Sequence, residues 1–251
     1  MHPILLKIGP LAIYSYGLMV AAGFGTAVYL ASAQAHKFGL RKESVVDISL
    51  CVLIAGLVGA RILYVLLNLG FYRSNPIEVF YISHGGLVWY GAFLFGVSAA
   101  LIYVAKKVIS FWNTADLFAP YIALGQALGR IGCFLNGCCY GGQAARNFPF
   151  AVYFPEDVFP RHPTQIYSSL LLLGLFIALR YMQTKRRFAG EIFLAYAILY
   201  SLERFVIEFF RGDNPPVFLN LTISQVISPV VFAAAISAYI IFFIRWKNTH
   251  F

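Results

Sequence analysis

Three arginines lie within long apolar segments of the chain, at Arg61, Arg130 and Arg204. The guanidinium group stays protonated at any physiological pH, and at bilayer depth it costs at least about 2.5–3.5 kcal/mol. Such a side chain therefore faces a protein interior or a wet cavity, and by default it marks a binding or transport site. These positions predict a membrane protein that handles a negatively charged molecule.

The segment around Arg204 adds two charges on the same helix face. Arg204, Glu208 and Arg211 follow one another at intervals of four and three residues, so Glu208 can pair with either arginine. For Glu208 we expect a structural ion pair. Two cations to one carboxylate leave surplus positive charge for an anionic ligand, although Arg211 alternatively reaches lipid headgroups.

A glycine-rich segment follows Arg130 and includes Asn136, Gly137, Gly141 and Gly142. Glycines at this density predict a broken helix whose main-chain amides line a concavity. An arginine beside such a turn suits a phosphate, because the guanidinium can form two parallel hydrogen bonds. The alternative is a re-entrant loop whose glycines are purely structural.

Arg61 is flanked by small residues that indicate close helix packing. We expect it to be a structural counter-charge, and the candidate carboxylates are Asp47, Asp116 and Glu208.

The cysteines are Cys51 in an apolar segment and Cys133, Cys138 and Cys139 in the glycine-rich segment. The spacing C-x4-C-C matches neither a zinc pair nor a redox C-x-x-C motif. We interpret these residues as small packing side chains, which predicts no metal and no other cofactor. A disulfide or a metal site stays open as an alternative.

The composition excludes an ordinary soluble domain. Of the 251 residues 60% are hydrophobic and only 12% are charged, whereas soluble domains carry roughly 25% charge. The net charge of +9 indicates basic loops and affinity for anionic lipid rather than for nucleic acid. The N-terminus lacks the pattern of a removable signal peptide.

The apolar segments predict an all-α, polytopic membrane protein with about seven transmembrane helices in a single integral membrane domain, residues 1–251. At about 20 residues per span, the predicted spans are Leu11–Ala33, Val45–Leu69, Gly86–Ala105, Ala115–Gly132, Pro163–Met182, Glu191–Phe210 and Ile223–Ile244. The aromatic segment Gly70–His84 reads as an arm lying along the membrane interface.

Loop charges predict the orientation. Eleven lysines and arginines occupy one set of connections and the C-terminal tail, against five on the other side. Because basic loops stay in the cytoplasm, we expect the N-terminus outside and the C-terminus inside. On the outer side, His84 and His162 could each accept a proton near neutral pH, but each alone is better explained as a hydrogen-bonded interfacial residue.

The segment GRIGCFLNGCCYG, residues 129–141, resembles the G-R-x-G-N-F-x-N-x-E-x-x-G hallmark of the prolipoprotein diacylglyceryl transferases. Similarity extends over most of the chain, through the motifs IYSYGLMVAAGF, GLVGARILYVLLN, HGGLVWYGAFLFG, RHPTQIY and RFVIEFFRGD, in the family's order. Each motif is weak alone; six in order on a seven-span frame are specific.

The resemblance implies an integral enzyme of the bacterial cytoplasmic (inner) membrane. Its members move the diacylglyceryl group of phosphatidylglycerol to the lipobox cysteine in the signal peptide of a prolipoprotein, which forms a thioether and releases glycerol phosphate. The implied partners are phosphatidylglycerol, prolipoprotein and membrane lipid, with no nucleic acid. We assign the catalytic roles to Arg130, Arg204, Tyr90 and His84. The residues expected to bind substrate are Tyr16, Arg130, Asn136, Gly141, Gln165, Tyr167, Glu208 and Arg211.

The chain departs from the family pattern at several positions. Cys133 and Cys138 stand where the pattern has Asn and Glu, Tyr90 where it often has His, and Ser168 where it has Glu. A tyrosine with a pKa of about 10 is a poor base at neutral pH. The proton acceptor is therefore unassigned, with His84, His162, the lipid phosphate and water as candidates.

Three alternatives to this activity remain at the level of sequence. One is a related enzyme that uses the same lipid pocket with another acceptor. Another is a lipid or anion transporter without covalent chemistry, which the buried arginines also fit. A third is a redox or metal centre formed by the clustered cysteines.

Overall fold

The protein is built almost entirely of helices. The computed structural model describes residues 1–8, 11–81, 85–155, 157–217 and 219–250. The long helices are α1 (Ser15–Gln34), α2 (Lys42–Leu67), α4 (Trp89–Lys106), α5 (Phe111–Asn136), α6 (Thr164–Thr184), α7 (Glu191–Glu208) and α8 (Ile223–His250), with a short α3 (Leu69–Ser74). The all-α class is confirmed.

The N-terminus forms a hairpin that the sequence did not predict. Strand β1 (Ile4–Ile8) pairs antiparallel with β2 (Leu11–Tyr14). The first predicted span began at Leu11, so its first four residues are strand and the helix starts at Ser15. The error has a simple cause: LAIY is as apolar as the helix that follows it, and hydropathy alone cannot separate the two.

Six helices are long and apolar enough to cross a membrane: Ser15–Phe38, Lys42–Leu67, Trp89–Lys106, Phe111–Asn136, Thr164–Thr184 and Ile223–Thr249. The first of these includes a 3₁₀ turn, Ala35–Phe38. Helix α7, the sixth predicted span, has 18 residues and carries the ionisable residues Glu191, Glu203, Arg204 and Glu208. The protein is therefore a multi-pass membrane protein, and the count of seven spans is not confirmed.

The chain divides into two compact units. The first consists of Met1–Ala31 and Ala115–Phe251, and the second of Ser32–Thr114. Arg130, Arg204 and the clustered cysteines belong to the first unit, while Arg61 and Tyr90 belong to the second. The single membrane domain over residues 1–251 stays a prediction.

The core of the first unit lies where α5, α6 and α7 meet. Three alanines of α5 at intervals of four residues present one small-residue face, which lets the neighbouring helices approach closely. The buried cluster comprises Ala119, Ala123, Ala127, Leu172, Leu175, Leu179, Ile192, Ala195 and Tyr196. This packing holds the helices that carry Arg130 and Arg204 side by side.

One carboxylate of α5 caps the N-terminus of α7. Asp116, fully buried, accepts hydrogen bonds from the main-chain N–H groups of Gly190 at 2.7 Å and Phe193 at 2.8 Å. Arg186 Nε lies 2.7 Å from the same carboxylate. The first N–H groups of a helix have no partner within it, so this cap both satisfies them and neutralises the buried charge.

In the second unit, α2 and α4 touch through glycines. A Cβ atom added at Gly91 would lie 2.2 Å from the Gly59 carbonyl oxygen, and one added at Gly59 would lie 2.4 Å from the Phe95 side chain. Small residues at both positions therefore permit main-chain contact between the helices.

The segment predicted as an interfacial arm, Gly70–His84, contains most of α3 and a 3₁₀ turn, Pro76–Phe80. Its last three residues, 82–84, lie outside the described residues. Its position at a membrane interface stays a prediction.

Candidate functional site

Arg204, which is partly buried, and Glu208, which is fully buried, form an ion pair on α7. Arg204 Nη1 lies 2.7 Å from Glu208 Oε2, and Arg204 Nη2 donates to the Ser224 hydroxyl at 2.8 Å. The other oxygen of Glu208 accepts hydrogen bonds from Asn214 Nδ2 at 2.6 Å and from the Thr222 hydroxyl at 2.7 Å. Both Glu208 oxygens are thus engaged, which agrees with the structural role expected for this residue.

Arg211 finds its own carboxylate. Its Nε and Nη2 atoms lie 2.8 and 2.6 Å from the two oxygens of Asp213. The sequence allowed Glu208 to pair with either arginine, and the structure pairs it with Arg204. Surplus positive charge therefore does not come from Arg204 or Arg211, each of which has a carboxylate partner.

Arg130, unlike Arg204 and Arg211, has no carboxylate partner among the described residues. Within the described parts of the chain its guanidinium makes neither a hydrogen bond nor an ion pair, and the residue is partly exposed. It lies close enough to interact electrostatically with Glu203, Arg204, Tyr200 and Tyr16. Arg130 and Arg204, on separate helices, therefore share one neighbourhood.

Glu203 contributes a second buried carboxylate to this neighbourhood. The Ser168 hydroxyl of α6 donates to Glu203 Oε1 at 2.5 Å, and both residues are buried. Glu203 also interacts electrostatically with Arg130 and Arg204. The sequence placed Glu203 beside Arg204 without assigning it a role, because the contact with Ser168 depends on the packing of two helices.

The sequence predicted that main-chain amides of the glycine-rich segment line a concavity, and the structure contradicts this prediction. Helix α5 continues through Gly129 and Gly132 to Asn136, so those glycines do not break it. The Gly141 N–H donates to the His162 carbonyl at 2.8 Å, and the Gly142 N–H donates to the Phe210 carbonyl at 2.8 Å. Both N–H groups are therefore hydrogen-bonded within the protein and are not available to an anion.

Gly141 itself serves close packing. A Cβ atom there would lie 2.5 Å from the Phe210 carbonyl oxygen and 2.7 Å from His162 Cβ. A predicted substrate contact at Gly141 stays a prediction, and the structure gives the residue a packing role.

The RHPTQIY motif fastens the turn after α5. The Thr164 hydroxyl donates to the Cys139 carbonyl at 3.1 Å, and Gln165 Nε2 donates to the Cys138 carbonyl at 2.8 Å. Gln165 Oε1 is buried and has no hydrogen-bond partner among the described residues. The Tyr167 hydroxyl lies 3.4 Å from His162 Nδ1.

The three cysteines of this turn converge. The Sγ atoms of Cys133, Cys138 and Cys139 all lie within 4.8 Å of one another, and all four cysteines of the chain are free thiols. Tyr16, in the first turn of α1, interacts electrostatically with these three thiols and with Arg130. The C-x4-C-C spacing gave no indication of this convergence, because it depends on how the turn folds back on the end of α5.

Arg61 is buried but has no carboxylate partner in the described residues, so the expected counter-charge role is wrong. Its guanidinium donates hydrogen bonds of 2.5–3.2 Å to main-chain carbonyl oxygens of Glu78, Val79, Tyr81, Gly85 and Gly86. The three expected partners are engaged elsewhere: Asp116 with Arg186, Glu208 with Arg204, and Asp47 with the Tyr103 hydroxyl. Through these hydrogen bonds Arg61 holds the main chain that precedes α4 in place.

The structure adds little on three further predicted site residues. Tyr90 is exposed and packs edge-on against Trp89, and Asn136 is the exposed last residue of α5. His84 lies outside the described residues. Their roles stay predictions.

Comparison with known proteins gives a consistent result. A family profile described as prolipoprotein diacylglyceryl transferase matches residues 3–241. Proteins named phosphatidylglycerol–prolipoprotein diacylglyceryl transferase are similar over nearly the whole chain. The protein from Enterococcus faecalis is 35% identical, over 98% of this chain and 91% of its own length. Those from Shouchella clausii and Bacillus licheniformis are 33% and 34% identical, over 94% and 95% of this chain and 88% and 92% of their own lengths.

Proposed function

The chain belongs to the prolipoprotein diacylglyceryl transferase family, and we propose that it moves the diacylglyceryl group of phosphatidylglycerol to the lipobox cysteine of a prolipoprotein. The products are a thioether-linked diacylglyceryl protein and glycerol phosphate. The relatives' names, over nearly the full chain, favour this transferase over a transporter or another acceptor.

The observation that carries the proposal is the unpaired guanidinium of Arg130 beside the Arg204–Glu208 ion pair. Phosphatidylglycerol is a phosphodiester with one negative charge. Arg130 supplies the free cation for that charge, since Arg204 is partly neutralised by Glu208. A guanidinium can bind two phosphate oxygens at once, and a fixed cation stabilises charge that develops on the leaving phosphate.

The reaction is a substitution at carbon. The acceptor sulfur, as a thiolate, forms a bond to the terminal glyceryl carbon, and the bond between that carbon and the phosphate oxygen breaks. The electron pair leaves with the phosphate, whose charge changes from −1 to −2. Because charge accumulates beside Arg130 and Arg204, their attraction is stronger in the transition state than in the bound substrate, which is the condition for catalysis.

Other side chains surround this reacting centre in the first unit. Tyr16 interacts electrostatically with Arg130, and its hydroxyl is a candidate donor to a phosphate or glyceryl oxygen. Glu203, held by Ser168, positions Arg130 through its charge. In this assignment Glu208 and Gln165 hold neighbouring parts of the site in position, because their hydrogen bonds go to other protein groups.

We also propose the inner-membrane location and the orientation, with the N-terminus outside and the C-terminus in the cytoplasm. The asymmetry of lysines and arginines supports them. This orientation opens the Arg130 neighbourhood toward the outer leaflet, where a signal peptide arriving from the cytoplasm presents its cysteine.

The test is a transfer assay with purified protein, phosphatidylglycerol vesicles and a lipobox peptide. Mass spectrometry should show the peptide heavier by one diacylglyceryl group, together with released glycerol phosphate. A peptide whose cysteine is replaced by serine should stay unmodified. An unmodified cysteine peptide, under conditions in which the Enterococcus faecalis relative modifies it, would overturn the proposal.

A further inference from the structure

We infer that Cys133, Cys138 and Cys139 bind a zinc ion whose fourth position is left open for the acceptor thiol. The binding of zinc stands on the geometry of the cysteines alone. Its use in thiol activation rests on the function proposed above. Nothing in the relatives' names refers to a metal, and the sequence spacing alone did not predict one.

The sulfur positions fit a three-thiolate site. The three Sγ atoms lie within 4.8 Å of one another. With zinc–sulfur bonds of about 2.3 Å in a tetrahedral arrangement, bound sulfurs are separated by about 3.8 Å. Each sulfur therefore needs to move by no more than about 1 Å, which cysteine side-chain rotation can supply.

The main chain is shaped to bring these sulfurs together. Helix α5 ends at Asn136, and Gly137 follows with φ +75°. Cys139 also has a left-handed conformation, with φ +62°, which is unusual for a residue with a Cβ atom. Strained main chain of this kind persists only where surrounding contacts enforce it, and it clusters at functional sites.

The contacts that enforce it come from α6. The Thr164 hydroxyl holds the Cys139 carbonyl and the Gln165 amide holds the Cys138 carbonyl, and both side chains are almost fully buried. Side chains that fix the residues carrying the ligands are a regular feature of metal sites. These two hydrogen bonds therefore hold the main chain of the turn in this conformation without a bound ion.

The cluster offers three ligands and not four. No histidine, aspartate or glutamate of the described residues joins the group of three cysteines. Structural zinc sites use four protein ligands, whereas catalytic sites use three and leave the fourth to water or substrate. Three thiolates and Zn²⁺ carry one net negative charge, and Arg211, which is already paired with Asp213, lies within electrostatic range of Cys139.

An open position on the zinc ion provides a way to deprotonate the acceptor thiol. A free thiol is only a few per cent ionised at neutral pH, and the family's Glu is replaced here by Cys138. A thiol that coordinates zinc loses its proton, in this case to water. The zinc-bound sulfur then bonds to the glyceryl carbon, the carbon–oxygen bond breaks, and the neutral thioether dissociates from zinc. The ion's oxidation state does not change.

The first experiment measures metal and thiols on the full-length protein in detergent, without any activity assay. Purified with zinc in the medium, the wild type should hold one zinc per chain, as should Cys51→Ser, which removes the exposed cysteine of the other unit. Cys138→Ser and Cys139→Ser should lose most of it. A zinc-free wild type, or a disulfide between any of the three clustered cysteines, would overturn the site.

The second experiment tests whether the acceptor thiol binds at the open position, with cobalt in place of zinc as a spectroscopic probe. Cobalt-loaded wild type should show sulfur-to-cobalt charge-transfer absorption, and adding the cysteine lipobox peptide should increase it. The serine peptide should leave the spectrum unchanged. An unchanged spectrum with saturating cysteine peptide would refute the thiol-activating role.

The two experiments separate failure of this inference from failure of the proposed function. Bound zinc and a cobalt response without diacylglyceryl transfer would refute the transferase and keep the site. Transfer by a zinc-free protein, unaffected by a chelator, would refute the thiol-activating role of zinc and keep the transferase.

Discussion

The Ser168 hydroxyl donates a 2.5 Å hydrogen bond to Oε1 of Glu203, so a carboxylate of α7 is held at a position on α6. The family pattern has a glutamate at the position of Ser168. In this chain a serine stands there, and it donates to a buried carboxylate of the neighbouring helix.

Glu203→Gln should lower kcat/KM for transfer about tenfold, the equivalent of ~1.4 kcal/mol. The amide keeps an oxygen to accept the Ser168 bond but removes the charge that interacts with Arg130 and Arg204. The transfer assay measures the effect. Glu43→Gln, at an exposed glutamate of α2, is the matched control and should leave the rate unchanged; equal rates in all three proteins would remove Glu203 from the site.

Arg130→Ala should reduce kcat about 10²–10³-fold, the range typical for loss of one group that stabilises a developing negative charge. Arg130→Lys should recover only part of it, because an ammonium cannot form two parallel bonds to a phosphate. Arg146→Ala changes an exposed arginine ten residues beyond the end of α5; it is the control and should stay active. A fully active Arg130→Ala protein would contradict the proposed phosphate contact.

Glu208→Gln should lower the free energy of unfolding by up to about 3–5 kcal/mol, the range for breaking a buried ion pair, because it removes the partner of the partly buried Arg204 guanidinium. Denaturant titration in mild detergent, followed by circular dichroism, measures this change. Thr222→Val removes one of the hydrogen bonds to Glu208 and should cost less, about 1.5–3 kcal/mol. The reverse order would show that the ion pair is not the stabilising contact.

Arg61→Lys should destabilise the loop before α4 by more than about 3 kcal/mol, because several carbonyl groups lose hydrogen bonds to a charged donor. Limited proteolysis should cut residues 76–88 faster than in the wild type. Arg73→Lys, at an exposed arginine nearby, provides the comparison and should be cut at the wild-type rate. Unchanged proteolysis of Arg61→Lys would mean that lysine satisfies the loop equally well.

Gly91→Ala should destabilise the second unit by at least about 1–3 kcal/mol, the usual cost of overpacking, since the new methyl group would meet the Gly59 carbonyl at 2.2 Å. A main-chain oxygen within a helix cannot move aside as a side chain can. Gly25→Ala, where nothing lies within 4 Å of the added atom, should be neutral or mildly stabilising. Thermal unfolding of the two variants compares them directly.

The helices were predictable from the sequence because a span requires about 20 apolar residues. The predicted Val45–Leu69 differs from α2, Lys42–Leu67, by only two or three residues at each end. The fourth span was predicted too short, at Gly132, since Gly129 and Gly132 suggested a break. A glycine inside a helix can instead mark a close neighbour: a Cβ at Gly132 would lie 3.0 Å from Met19 Cβ.

The partners of the charges were less predictable. Intervals of three and four residues placed Arg204, Glu208 and Arg211 on one face. Because Arg211 pairs with Asp213, Glu208 pairs with Arg204. Arg61 was expected to meet a carboxylate, and it meets main-chain carbonyls instead. Local spacing gives the neighbours within one helix, whereas contacts between helices and loops depend on packing that no single segment encodes.

The contact between Asp116 and the start of α7 also fixes how far along each helix the two arginines lie. Arg130 lies 14 residues after Asp116 on α5, and Arg204 lies 14 residues after Gly190 on α7. At 1.5 Å per residue, each guanidinium-bearing residue is about 21 Å along its helix from the shared anchor. Because the two helices are joined at this end, the equal separations put Arg130 and Arg204 at similar distances along their helices from Asp116, in agreement with the electrostatic interaction between the two arginines.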